Sequence, residues 1–111
     1  MELINKKIIL IIDDDEDILN WFRILQKNDL SCTYFFLKDK QETQNAIVKL
    51  KSDLIFLEHN EEKLSETLRI ASGFKTSVVH MSTQNHSHAS FMRKPLERKA
   101  VETKIRELLK I

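Results

Sequence analysis

The hydrophobic pattern changes period repeatedly along the chain, and each change marks an element. Lys7 to Ile12 is a β-branched apolar run that ends in acid at Asp13. An uninterrupted apolar run suits a strand buried on both faces, as in the centre of a parallel sheet. The period then lengthens: Ile18, Phe22 and Leu25 recur at i, i+4 and i+7, with Trp21 alongside, as one stripe of a helix. Asp15 to Asp17 stand at its start, where carboxylates favour the macrodipole. Cys32 to Leu37 predicts a second strand, aromatic and apolar. Asp39 followed by Glu42 has the spacing of a capping box, and Ala46, Ile47 and Leu50 carry a second helix. Leu54 to Leu57 predicts a third strand, ending in Glu58. Leu64, Leu68 and Ala71 predict a shorter third helix, with Gly73 where a helix stop belongs. Ser77 to Met81 reads as a fourth strand, the polar and histidine-bearing Thr83 to Ser90 as a loop, and Phe91 to Arg93 as a short fifth strand. Pro95 opens a final helix with Val101, Ile105 and Leu108 on one face.

Strands and helices thus alternate along the whole chain. Each parallel crossover needs a covering helix, so the pattern predicts an α/β fold with a parallel sheet and helices on both faces. Ligands in such folds bind at the carboxyl ends of the strands. The polar residues there are Asp13 and Asp14 after the first strand, Glu58 after the third, Ser82 and Thr83 after the fourth, and Lys94 after the fifth.

Composition narrows the picture. A chain of 111 residues fits one domain, taken here as 1–111, and 41% hydrophobic residues suffice for a core. Eighteen basic and 17 acidic side chains nearly cancel, which leaves no electrostatic footprint for nucleic acid and no polybasic membrane patch. The longest apolar run, Ile8 to Ile12, falls far short of the ~20 residues of a membrane span. The segment Met1 to Lys7 lacks the order of a signal peptide. Cys32 is alone, so no internal disulfide framework is expected, and the chain reads as cytoplasmic. Gly73 and Pro95 are the only glycine and proline, which excludes glycine-rich phosphate loops and dinucleotide fingerprints.

Three carboxylates at one sheet edge repel one another. A hard cation such as Mg²⁺ relieves this through oxygen ligands, and so does a neighbouring ammonium, for which Lys94 is placed. Ser82 and Lys94 together could cradle a phosphoryl group. The plainer reading of each residue alone is that the acids cap helices and the lysine is solvated. His86 and His88, with His80 nearby, raise a metal site, although a His-x-His pair in a loop is usually just exposed. Trp21 and the phenylalanines read as core, and Cys32 as a buried, inert thiol.

Four segments in this order resemble a response-regulator receiver domain. Ile9-Leu10-Ile11-Ile12-Asp13-Asp14-Asp15-Glu16-Asp17-Ile18-Leu19 is similar to its opening, and Asp53-Leu54-Ile55-Phe56-Leu57-Glu58 to its phosphorylation strand. Val78-Val79-His80-Met81-Ser82 is similar to its switch-hydroxyl strand, and Phe91-Met92-Arg93-Lys94-Pro95 to its Lys-Pro signature. The resemblance implies a flavodoxin-like (CheY-like) five-stranded sheet in the order 2-1-3-4-5 and a cis Lys94–Pro95 bond. It implies Mg²⁺ at Asp13, Asp14 and the acceptor, a phosphoryl contact from Ser82 and Lys94, and a switch aromatic at Phe91. It implies a histidine kinase or a downstream signalling protein as partner, and no enzyme activity of its own.

The departures from that family shape the functional expectation. Glu58 stands at the acceptor position in place of aspartate, one methylene longer, and His59 follows it. Eight residues separate Ser82 from Phe91, too few for a fourth helix of ordinary length, about 11 residues. A pseudo-receiver is therefore expected, working by protein–protein contact without a stable acyl phosphate. Mg²⁺ is expected to bind weakly, or Lys94 to neutralise the cluster instead through an ion pair with Glu58 that locks Phe91. No output domain is expected after Ile111. The enzyme alternative is a haloacid-dehalogenase-like phosphatase, whose two opening acids Asp13 and Asp15 would supply, although Asp17 does not match its next residue. A further alternative is a phospho-accepting receiver that uses a non-standard carboxylate.

Overall fold

The structure, a computed structural model, describes residues 7–28, 32–38, 40–50, 52–58, 69, 71, 76–82 and 91–110. Its elements there are β1 (Lys7–Ile12), α1 (Glu16–Lys27), β2 (Cys32–Leu37), α2 (Lys40–Leu50), β3 (Leu54–Glu58), β4 (Ser77–Ser82), β5 (Phe91–Arg93) and α3 (Arg98–Leu109). The strands form one parallel sheet in the order β2-β1-β3-β4-β5. This is the predicted flavodoxin-like order. The predicted third helix falls largely outside the described residues; within it Arg69 and Ala71 are helical, and Ala71 is buried. Asp39, Gly73 and the 83–90 segment also lie outside them, so the expected capping box, helix stop and shortened fourth helix do too.

The continuous apolar runs have the explanation the pattern required. Along β1, Ile9 and Ile11 join a layer with Leu19, Phe22 and Leu25 of α1 and Val101, Ile105 and Leu109 of α3. The alternate residues Leu10 and Ile12 join a second layer with Ile47 of α2 and Ala71. β3 divides in the same way, Leu54 and Phe56 to the first layer, Ile55 and Leu57 to the second. Phe22 knits the first layer, its ring 5.1 Å from Phe56 and 5.0 Å, edge-on, from Trp21. In α1 the buried stripe is Leu19, Phe22 and Leu25, with Ile18 half-buried at its margin.

The final helix departs from the expected start. Lys94 N–H still donates to Ser82 O at 2.7 Å, so the chain keeps its strand register one residue past β5. Residues 95–97 then make the turn, and α3 begins at Arg98 rather than at Pro95. Leu109 is the buried residue of its last turn, with Leu108 partly buried against the same core. β5 pairs only with the last three residues of β4, Phe91 lying opposite His80. The two ends of the connection between them are therefore offset by two residues along the strands, roughly 7 Å, and by one strand spacing across.

At the opposite end of the sheet, Asp53 lengthens the β1–β3 ladder with its side chain. Its N–H donates to Ile8 O, and its carboxylate accepts from Ile8 N–H, both at 2.8 Å. The carboxylate does the work of a backbone carbonyl. Asp53→Ala leaves the Ile8 N–H without this acceptor and is expected to cost about 1–2 kcal/mol in urea unfolding. Asp53→Asn keeps an acceptor and is expected to lose less than half of that. Equal losses would show that the hydrogen bond carries nothing.

Candidate functional site

Strand alternation carries three charged side chains to one corner. Asp13 continues the parity of Ile9 and Ile11, Glu58 that of Leu54 and Phe56, and Lys94 that of Met92, all first-layer residues. Ser82 continues the parity of Val78, which packs on the second layer. Asp13, Glu58 and Lys94 are thereby set on the α1/α3 side of the carboxyl edge.

Asp13 is the deepest of them, with no exposed surface. Its N–H donates to Leu37 O at 3.2 Å, which holds it in the β1–β2 ladder. Its Oδ1 accepts from Asp15 N–H at 2.8 Å, and its Oδ2 from the Lys94 ammonium at 2.7 Å. The lysine side chain is 12% exposed. A carboxylate this buried costs several kcal/mol to desolvate unless it is paired and hydrogen-bonded, and here it is both. Lys94 is held at both ends, its N–H on β4 and its ammonium on Asp13.

Glu58 is half-buried, and its Oε2 accepts from Asp14 N–H at 3.3 Å. The extra methylene lets this carboxylate fold onto the loop between β1 and α1. The expected Lys94–Glu58 ion pair is thus replaced by a Lys94–Asp13 pair. Burial is the physical reason: the deeper carboxylate has the greater need of the charge. Asp14 is exposed. Asp15 is the N-cap of α1, its Oδ1 accepting from Asp17 N–H at 2.9 Å. This absorbs the second acid that a haloacid-dehalogenase-like reaction would need as a proton donor.

The neighbouring rim is fixed by a further set of charges, Glu16, Arg23 and Lys38. Glu16, at the start of α1, bonds Lys38 just past β2 at 2.8 Å and lies 3.9 Å from Arg23. The hydrogen bond from Lys38 holds the Glu16 carboxyl below its ordinary range; desolvation opposes it, and the charges of Lys38 and Arg23 add to it. The Arg23 guanidinium also lies over the Phe36 ring, 5.0 Å from its centroid. The i, i+7 spacing of Glu16 and Arg23 was the sequence signal for one helix face.

Phe91 opens β5, and its side chain lies outside the described set, so its expected rotamer switch does too. Ser82 is linked to Lys94 through the backbone, its carbonyl accepting from Lys94 N–H. The Lys94–Pro95 bond is cis, as expected. His86 and His88 fall outside the described residues, while His80 and Cys32 are buried in β4 and β2. Among the described residues no three His, Cys, Asp or Glu side chains converge as a metal site would need. Both oxygens of Asp13 are engaged, Oδ1 by Asp15 N–H and Oδ2 by the Lys94 ammonium. The arrangement therefore does not fit Mg²⁺. No helix among the described residues is long and apolar enough to cross a membrane.

No family model matches the chain, and no curated protein matches it. Solved structures do. A two-component response regulator from Clostridium difficile aligns with a TM-score of 0.79 at 20% identity, over 95% of this chain and 97% of that one. A response regulator from Thermotoga maritima aligns at 0.80 and 18% identity, over 96% and 100%. A chemotaxis response regulator of Vibrio cholerae aligns at 0.75 and 15% identity, over 94% and 99%.

Proposed function

We propose that the chain, which has the receiver-domain fold over nearly its whole length, is a receiver-like signalling module of a two-component system. It acts in the cytoplasm by protein–protein contact and without a stable acyl phosphate, and it is not an enzyme. The observation that carries this reading is the Lys94–Asp13 ion pair. The cation that would recognise a phosphoryl group at the strand ends is already neutralised within the chain at 2.7 Å. Glu58 supports the same reading. It offers a carboxylate of the wrong length, and that carboxylate is bonded to Asp14 N–H.

In this reading Glu58 is the acceptor-equivalent residue, Ser82 and Lys94 are the cradle-equivalent ones, and Phe91 is the switch-equivalent aromatic. The Asp13–Lys94 pair, rather than a phosphoryl group, holds one state. A protein partner, whether a histidine kinase or a downstream signalling protein, meets the surface of β5 and α3. Exposed Arg93, Pro95, Lys99 and Thr103 line an open, mixed-charge groove there.

Incubation with acetyl phosphate and Mg²⁺, followed by intact-mass measurement, tests the reading. The mass is expected to stay unchanged. A robust added phosphoryl group on Glu58 or Asp14 would overturn it in favour of a receiver that uses a non-standard carboxylate. Glu58→Asp is expected not to restore the reaction, because Lys94 remains committed to Asp13.

A further inference from the structure

The corner where β1, β3 and β5 end holds the Asp13 and Glu58 carboxylates and the Lys94 ammonium, and the pairing among them bears on divalent cations. We infer that the Lys94 ammonium is a built-in replacement for a divalent cation, so that this corner is stable without metal and indifferent to it. The inference rests on reading the corner as the counterpart of a receiver's acidic site, and it extends that reading to what neutralises the acids.

The argument is one of access and charge. Asp13 has no exposed surface, and the partly covered Lys94 ammonium already stands on its Oδ2. A cation bound at Asp13 Oδ2 would stand beside a positive charge already 2.7 Å from that oxygen. The poorly solvated surroundings make such like-charge contact costly. The other oxygen, Oδ1, accepts from Asp15 N–H, and Asp15 in turn caps α1. Drawing Asp13 toward a metal would loosen the turn that starts the helix. Glu58, at the end of β3, already accepts from a neutral donor, Asp14 N–H. A small divalent cation demands several oxygens in near-ideal geometry and gives up its water reluctantly. Here the oxygens are distributed among three other partners. The lysine is anchored through its own N–H to β4, so its ammonium is positioned by the sheet and not merely by attraction.

The probe is Mn²⁺ alone, followed by calorimetric titration and by paramagnetic broadening of the amides of residues 13–15 and 58. Wild-type protein is expected to show no saturable heat up to millimolar Mn²⁺ and no selective broadening. Lys94→Met removes the cation while keeping a chain of similar length. It is expected to bind Mn²⁺ at least ~tenfold tighter than wild type, with Asp14→Asn in that background cancelling the gain. Lys94→Arg keeps the charge and is expected to stay silent. Saturable millimolar binding by the wild type overturns the inference on its own, without need of a folded variant. A folded Lys94→Met protein that remains silent also overturns it. The acetyl phosphate result is separate: a wild type that is phosphorylated yet ignores Mn²⁺ sinks the functional reading and leaves this one standing. A wild type that binds Mn²⁺ and takes no phosphoryl group does the reverse.

Discussion

Lys94→Ala is expected to lower stability by about 3 kcal/mol or more, a large share of the 5–15 kcal/mol typical of a domain. The loss comes less from the missing attraction than from what stays behind. Asp13 has no exposed surface, and without the ammonium it keeps one hydrogen bond, from Asp15 N–H. Breaking a buried pair from one side costs about 3–5 kcal/mol, and the slight exposure of Lys94 places this case at the lower end. For a chain of this size each kcal/mol is worth about 4 °C or more, so the melting temperature should fall by ~12 °C or more. The double variant Asp13→Asn, Lys94→Met removes both charges and keeps similar volumes. It is expected to recover most of the loss. A single variant that melts within a few degrees of wild type would show that water reaches Asp13, and that the pair is a surface contact of little worth.

Much of this arrangement was legible from alternation alone. Asp13 lies two residues beyond Ile11, Glu58 two beyond Phe56, and Lys94 two beyond Met92. With period two, each residue shares the face of its apolar predecessor. The convergence of the three on one corner follows once the strand order is known. Ser82 lies two beyond His80 and so takes the other face, while its carbonyl continues the ladder to Lys94 N–H. The same rule located both core layers, because every residue of Ile8 to Ile12 is apolar and both faces of β1 had to be covered.

The pairing within the corner was not legible. Asp13 and Glu58 offer the same charge to one lysine, and the choice between them depends on depth. Depth is set by the neighbours on both sides of β1 and by the ladder bond from Asp13 N–H to Leu37 O. Asp15 posed a similar ambiguity. An acid at a helix start is either a cap or a reactive group, and only the 2.9 Å bond to Asp17 N–H decides for the cap. The start of α3 is not legible from Pro95, because the preference of proline for the first turn of a helix is only a general one. Here the preceding lysine was still bonded to β4, which delayed the helix by one short turn.

Phe22→Ala is expected to cost about 3–5 kcal/mol, whereas Ile24→Ala, two residues along the same helix, should stay within about 0.5 kcal/mol. The contrast isolates burial from helix propensity. Phe22 has no exposed surface and touches Phe56 of β3 and Trp21, so its loss opens a cavity where α1 meets the centre of the sheet. Ile24 is 60% exposed, and its removal leaves no cavity. The consequence reaches the corner as well. α1 hangs from Asp15, whose N–H is held by Asp13, and Phe22 is the largest fully buried side chain of the helix. Loss of that contact should therefore loosen the turn between β1 and α1, and faster hydrogen exchange at Asp15 and Asp17 N–H should accompany the fall in stability. Urea unfolding and exchange on the two variants read this directly. If Phe22→Ala matches Ile24→Ala in both, then α1 is held by its cap alone, and the first layer of the core does not position the acidic corner.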